Sequence, residues 1–405
     1  MSSVLNKRIE VIDVLRGYAV MAIMLIHNIE HFNYYHYPDK SINPDWLNTL
    51  NAEVFHWMFF FFGGKTYSIF ALLFGFTFYL MYQKQKEKGI DFGPRYLWRL
   101  LLLVGFAQFN AAFFPGEVLL LYAVCGVSLY FMRHLSNKSL LIIALFFLAQ
   151  PYEILHFIYI KLVPTYEVGS QLFVPLWKSS MEVVKNGTFW ETVKSNLTDG
   201  QGFSFLWAVE NGRAEQTIGL FTLGFWIGKK GYFRDEFIGG WKKVFVISII
   251  VMIPLLYLKD IFLTKQEALA IKRTLGVIFD MWWKLSFTFI WISLIVWLYQ
   301  FKAVQKATKV VKTYGRMSLT NYITQSIFGG IIYFGYGFHL ADTCGVAFSL
   351  LIGFVFLFFQ MFFCHLWLKK YKQGPFEMLW HKWTWAPTVF TKEIDSNKQH
   401  SISSN

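Results

Sequence analysis

Residues 345–368 read GVAFSLLIGFVFLFFQMFFCHLWL, without one Asp, Glu, Lys or Arg, and Lys369, Lys370 and Lys372 follow almost at once. At ~1.5 Å rise per residue such a run spans the ~30 Å hydrocarbon layer of a bilayer. A helix in water keeps one polar face, and this stretch has none to offer. Stretches of similar character recur at roughly 11–30, 65–83, 96–115, 117–133, 139–161, 214–229, 244–260, 276–300 and 317–338, separated by short, often basic connectors. The expected fold is therefore all-α: a polytopic membrane helix bundle of about ten transmembrane helices.

The bulk composition agrees. Hydrophobic residues make up 55% of the chain and aromatic residues 20%, against 16% charged, whereas soluble domains carry about 25% charged residues. There is too little polar surface to cover a water-soluble globule. The formal net charge is +13, but no basic stripe sits on a soluble domain, so nucleic acid is not an expected partner. The lipid bilayer is. Cys125, Cys344 and Cys364 are scattered over apolar segments with no CxxC spacing, which argues for packing roles over disulfides or zinc. Lys7 and Arg8 before an apolar run imitate a signal peptide; with Asp13 and Arg16 inside it and no small-residue cleavage site after it, the run reads as a retained first helix.

Basic clusters set the orientation. Lys84, Lys86 and Lys88, then Lys229, Lys230, Arg234, Lys242 and Lys243, then Lys302, Lys306, Lys309 and Lys312, and finally Lys369, Lys370 and Lys372 all fall on one side if the N-terminus is cytoplasmic. Both termini are then expected in the cytoplasm, on a multi-pass membrane protein. Lys259, Lys265, Lys272 and Arg273 break the pattern, being basic and external. Residues 53–62 (EVFHWMFFFF) are expected at the interface or as a re-entrant piece. Residues 162–213 form the one long connection; its Asn186-Gly-Thr and Asn196-Leu-Thr sequons carry little weight. Residues 1–230 read as an N-terminal membrane bundle, 231–385 as a C-terminal membrane domain, and 386–405 as a disordered cytoplasmic tail.

Ionisable groups inside a membrane are costly and usually face a partner, a cavity or a function. Arg16 and His27 are eleven residues apart, so they share one helix face with roughly 16 Å between them. Asp13 and Arg16 can also be a local ion pair at the interface, and His27 a hydrogen-bonding residue of a helix contact. Toward the outside lie Asn28, Lys65, Gln108, Asn110 and Glu117, the last in the tight turn FFPGEV; toward the cytoplasm lie Arg95, Arg99, Arg316, Asn321 and Gln325. The inner arginines are either the ordinary positive-inside bias or a site for an anion such as phosphate. Asp280 and Lys284, at i,i+4, neutralise each other on their helix. GGK at 63–65 and GLFTLGFWIGKKG at 219–231 lack the setting of a nucleotide loop and read as close helix packing. No HExxH, GxSxG or metal-ligand cluster is present.

Five stretches in order resemble the YeiB-like family of bacterial membrane proteins: RIEVIDVLRGYAVMAIMLIHNI, GGKTYSIFALLFGFTFYLM, RYLWRLLLLVGFAQFNAAFFPGEVLLLYAVCG, TIGLFTLGFWIGKKGYF, and GRMSLTNYITQSIFGGIIYFGYGF with the later GPFEMLW. The last pair resembles the family's conserved C-terminal domain. That family is distantly similar to membrane acyltransferases, namely the acyltransferase-three enzymes and heparan-alpha-glucosaminide N-acetyltransferase. The resemblance implies a bundle of about ten helices in which cytoplasmic acyl-CoA, bound non-covalently, donates to an external hydroxyl or amine on a small molecule or glycan. In the acyltransferase-three pattern an Arg is followed eleven residues later by a catalytic His, as Arg16 and His27 are here, and the basic helix start that meets the CoA phosphates corresponds to Arg95 and Arg99. Beside that pattern, the polar residues expected in the membrane give an acyl-transfer site in a bacterial cytoplasmic (inner) membrane. His27 is then the catalytic base, with Glu117 orienting it or the acceptor. Arg16 and Arg316 join Arg95 and Arg99 as donor-binding groups, and Asn28, Lys65, Gln108, Asn321 and Gln325 are substrate-binding polar groups. Family members usually carry Asn at the position of His27, often His at that of Gln108, and Asp at that of Glu117. Two other readings need no acyl chemistry: a transporter for a small polar solute, although no repeat relates 1–200 to 201–368, and a non-catalytic envelope protein. The sequence leaves the oligomeric state open.

Overall fold

A computed structural model describes residues 9–163, 165–266 and 268–386. The tail expected at 386–405 lies, from 387 on, outside the described residues. Among them the chain is helical with no β-strand. In order, the helices are α1 (Glu10–Ile29), α2 (Asp45–Phe61), α3 (Thr66–Lys86), α4 (Gly93–Ala111), α5 (Leu119–Met132), α6 (Asn137–Leu148), α7 (Pro151–Leu162), α8 (Phe173–Asn186), α9 (Phe189–Ser195), α10 (Gln201–Glu210), α11 (Arg213–Lys230), α12 (Ile238–Thr264), α13 (Leu269–Leu298), α14 (Lys302–Ala307), α15 (Lys309–Gly315), α16 (Ser318–Tyr333), α17 (Val346–Lys370) and α18 (Pro375–Trp385).

Five units are long and apolar enough to cross a membrane: α1, the 42-residue α2–α3 pair, α12, α13 and α17. A sixth arises if α6 and α7 form one span bent by 48°. Pro151 opens α7 and Gln150 before it is left-handed (φ 64°), so the helix expected over 139–161 breaks there. The other stretches expected to span, in α4, α5, α11 and α16, are helical but shorter or more polar. Residues 53–62 continue the axis of α3 outward as α2, interrupted only at 62–65, and do not lie across it.

Burial sorts the helices. The apolar window of α1 is 78% buried, and α1 packs against α3, α13, α15, α16 and α17; that of α12 is 6% buried, leaving its aliphatic side chains on the outer surface. With most of its surface covered by protein, α1 can carry Asp13, Arg16 and His27 where a peripheral helix could not. Two close crossings fix its surroundings. On α3 and α11, a Cβ on Gly75 would overlap the carbonyl oxygen of Phe221, and one on Gly224 that of Leu72. On α1 and α15, Gly17 and Gly315 stand in the same relation to Val311 and Asp13. These are small-residue contacts in which backbones touch. Gly224→Ala is expected to cost at least about 1–3 kcal/mol, the usual penalty of overpacking. A lowered Tm of the detergent-solubilised variant is the readout, and an unchanged Tm would show that the helices separate freely.

The long connection is not an irregular loop. It folds as α8, α9, a π-helical turn at 196–200 and α10, opened by a capping box between Thr188 and Glu191. Its Met181, Val184 and Phe203 join Phe32, Phe114, Tyr333 and Phe334 in a separate apolar cluster. The segment thus makes a roof over the bundle end opposite the lysine clusters. Asn196 is buried inside it and donates to Ala112 O at 3.3 Å, which disfavours glycosylation there.

Candidate functional site

Two cavities enter the bundle. The inner one, at the end bearing the lysine clusters, has a volume of about 450 Å³ and is bordered by Arg16, Lys84, Arg99, Arg316, Lys372 and His381. Its deeper wall is apolar, from Leu73, Phe74, Phe78, Leu100 and Leu103. The outer one, of about 940 Å³, holds His27, Glu30, Lys65, Glu117, Arg213, Lys259, Asp280 and Lys284. Phe55, Phe59 and Phe60 of α2 form one side, and Phe173, Trp177, Phe203 and Trp207 of the roof another. Ile23, Tyr67, Val118 and Tyr322 border both cavities. These four shared residues are the septum between them.

Helix α1 carries the axis of the site. Arg16, Ile23 and His27 follow one another at i, i+7 and i+11, so a single stripe faces the inner cavity, the septum and the outer cavity in turn. Arg16 meets Asp13 at 3.5 Å and donates to Thr77 Oγ1 at 2.5 Å, so the local ion pair exists and its guanidinium still borders the cavity. His27 is half-buried. Its Nδ1 is enclosed with no hydrogen-bond partner among the described residues, and its ring lies 4.7 Å from Phe114 and 6.5 Å from Tyr322, centroid to centroid.

Glu117 borders the outer cavity at the start of α5, where its two oxygens accept from Leu119 N (2.5 Å) and Leu120 N (2.9 Å). It caps that helix, satisfying N–H groups that have no intrahelical acceptor. No hydrogen bond joins it to His27 among the described residues. Lys65 Nζ donates to Phe59 O at 3.0 Å and lies 4.2 Å from the centre of Trp283.

In the inner cavity Arg99 lies flat on Trp380, 3.6 Å from the ring centre, and donates to Thr384 Oγ1 at 3.3 Å. Arg316 Nη2 donates to Lys372 O at 2.8 Å. Helix α18 is held there by Glu377, which accepts from Leu319 N, Thr320 N and Thr320 Oγ1. Burial raises the Glu377 carboxyl above its ordinary range, against the pull of those bonds. Burial also lowers His381, with the charges of Arg99 and Lys84 adding to it.

Several residues expected at the site lie outside both linings. Arg95 turns to Thr384 O at 2.8 Å and packs on Trp385. Asn28 is wedged between α1 and α17, donating to Met24 O and accepting from Tyr333. Gln108 is exposed and bonded to Gln201. Asn321 binds Tyr314 O and receives Cys364 Sγ, while Gln325 is fully buried away from both spaces. Neither Asn28 nor Gln108 therefore borders a cavity, whereas the buried Tyr322 hydroxyl lies between the two.

Arg213, Glu30, Lys259 and the Asp280–Lys284 pair were not foreseen as site residues. Arg213 had one signal: it is a guanidinium at the outer end of an expected span, against the charge bias. Lys259, part of the loop that violated that bias, is bonded to Asp280 inside the cavity. Among the described residues no group of His, Cys, Asp and Glu is arranged to hold a metal ion.

Residues 227–387 match the family model described as "Protein of unknown function (DUF418)". The chain is 28% identical to "Uncharacterized protein YxaH" of Bacillus subtilis (strain 168), over 94% of this chain and 96% of that one. It is 24% identical to "Uncharacterized 39.9 kDa protein in amylase 3'region" of Bacillus acidopullulyticus (96% and 99% covered) and 24% identical to "Uncharacterized protein YeiB" of Escherichia coli (strain K12) (92% and 95% covered). No solved structure matches the chain. The chain is thus similar along nearly its whole length to YeiB-like proteins, and the part holding α12 to α18 carries the domain match.

Proposed function

We propose that the protein is a transmembrane acyltransferase of the bacterial inner membrane, taking an acyl group from cytoplasmic acyl-CoA to a hydroxyl or amine acceptor on the other side. The observation that carries this reading is the pair of cavities meeting at Ile23, Tyr67, Val118 and Tyr322. One is cationic at its mouth and apolar within; the other is polar and contains an imidazole.

The chemistry suits the residues. Arg16, Arg99 and Arg316 at the basic mouth match the phosphates of CoA, for which guanidinium edges are good partners. The apolar depth of that cavity accepts the pantetheine arm, bringing the thioester to the septum. The acceptor O–H or N–H attacks the thioester carbonyl carbon while His27 takes the proton. The tetrahedral adduct then collapses, the C–S bond breaks, and the thiolate recovers a proton as free CoA. Tyr322, as an O–H donor on the septum, is placed to stabilise the oxyanion. Purified protein given acyl-CoA and extracts of outer-side glycans or small amines should release free thiol in step with acceptor acylation. Absence of thiol release with every acceptor class would end this reading.

The same pair of facing cavities favours a second reading, a solute transporter caught closed at the septum. Uptake into reconstituted vesicles that needs no CoA would support it.

A further inference from the structure

Lys65, Arg213, Lys259 and Lys284 all border the outer cavity. One carboxylate, Asp280, is bonded to two of them, Lys259 and Lys284, the latter at 2.9 Å. Lys65 and Arg213 form no ion pair among the described residues. Lys65, 1% exposed, rests on the Trp283 face, and Lys284 Nζ and Lys259 Nζ lie 5.8 and 6.0 Å from the centre of that ring. Arg213 is held between Tyr67 and Trp207, 4.4 and 4.3 Å from their centres, with no ion pair or hydrogen bond among the described residues.

The three groups converge on one turn. Gly64 has φ +74°, and a Cβ there would lie 3.1 Å from Lys284 Cδ and 3.6 Å from Arg213 Nη2, directly before Lys65. The remaining acids of the cavity are engaged elsewhere: Glu30 accepts from Tyr35 at 2.8 Å, and Glu117 caps α5. Even with every carboxylate ionised, four cations face three acids, and the excess is concentrated at Gly64. Desolvated positive charge without a counter-charge is costly, and a bound anion removes that cost. A guanidinium sandwiched between rings keeps its N–H edge for two oxygens of one anion.

We infer that Lys65, Arg213 and Lys284 form an anion subsite that takes a phosphate or carboxylate group of the molecule entering the outer cavity. Its service as the handle of an acyl acceptor rests on the function proposed above; anion binding itself does not. The aromatic walls beside it suit a ligand whose charged group adjoins a ring or an apolar body.

The test is a titration of the full-length, detergent-purified protein carrying Arg99→Gln, which removes the inner anion site as a competitor. Inorganic phosphate, against chloride at equal ionic strength, should raise its Tm. Adding Lys65→Met or Arg213→Gln should weaken the apparent Kd at least about tenfold, and Arg213→Lys should weaken it less than Arg213→Gln. Nanodiscs containing phosphatidic acid, against phosphatidylcholine alone, tell the source: a Tm rise with phosphatidic acid but not with free phosphate assigns the subsite to a lipid headgroup. Lys284→Gln is the alternative should Lys65→Met fail to fold. Tm unmoved by both phosphate and phosphatidic acid, or a shift that survives in both outer variants, overturns the subsite. Phosphate binding together with no acyl transfer by the protein with Arg99 intact would retain the subsite and end the transferase reading; transfer by that protein without any anion effect would do the reverse.

Discussion

His27→Gln is expected to lower single-turnover acyl transfer by about 10²–10⁴-fold, the usual contribution of a positioned general base, with donor binding and Tm unchanged. The residue has the features such a base requires. Its ring borders the outer cavity, it sits next to the septum where the thioester carbonyl would arrive, and its Nδ1 is enclosed by protein with no competing hydrogen bond. Glutamine keeps a polar side chain of similar reach and cannot take the proton. His56→Gln is the matched control, since His56 borders the same cavity from the exposed rim on α2. Equal rates in wild type and His27→Gln would remove the imidazole from the chemistry and leave the cavities to another function.

Arg99→Gln should raise KM for acyl-CoA by about 10–100-fold with little change in kcat, because a hydrogen bond to a charged group contributes about 1.5–3 kcal/mol. Arg99 is the best fixed of the inner cations. Trp380 holds its plane at 3.6 Å and Thr384 takes one N–H, so little side-chain entropy remains to be lost when a phosphate binds the other donors. Thiol release measured against acyl-CoA concentration separates the two constants. A fall in kcat at constant KM would instead mean that Arg99 supports the septum and not the donor.

The helical character and the site differ in how far they can be read from sequence. The run at 345–368 is apolar around its whole circumference, so its identity as a spanning helix needs no knowledge of neighbours. Arg16 and His27 are likewise legible as a pair, since helix periodicity alone puts them on one stripe. Asn321 and Gln325 show the limit: sequence fixes the depth of a residue along its helix but not which neighbour it faces. Asn321 turns to Tyr314 and Cys364 between packed helices. Gln108 reaches the surface for the same reason. Arg213 was hidden differently, since its place beside Lys65 comes from contact between α11 and α3, far apart in the chain and joined where Gly224 and Gly75 allow backbones to touch. The Pro151 break was visible as a proline, but its effect on the 139–161 helix depends on the left-handed Gln150 before it.

The four-residue septum has an electrical consequence. In the two-sided arrangement proposed above, recesses filled with electrolyte from opposite faces would bring the two bulk potentials deep into the protein, and most of the membrane voltage would fall across Ile23, Tyr67, Val118 and Tyr322. A unit charge crossing only this short barrier works against nearly the whole potential, about 2.3 kcal/mol per 100 mV. Acyl transfer that leaves the thiolate on the inner side and the acceptor's proton on His27 separates a unit charge over these four side chains, so that step is sensitive to voltage, as is a proton or a phosphate carried past them.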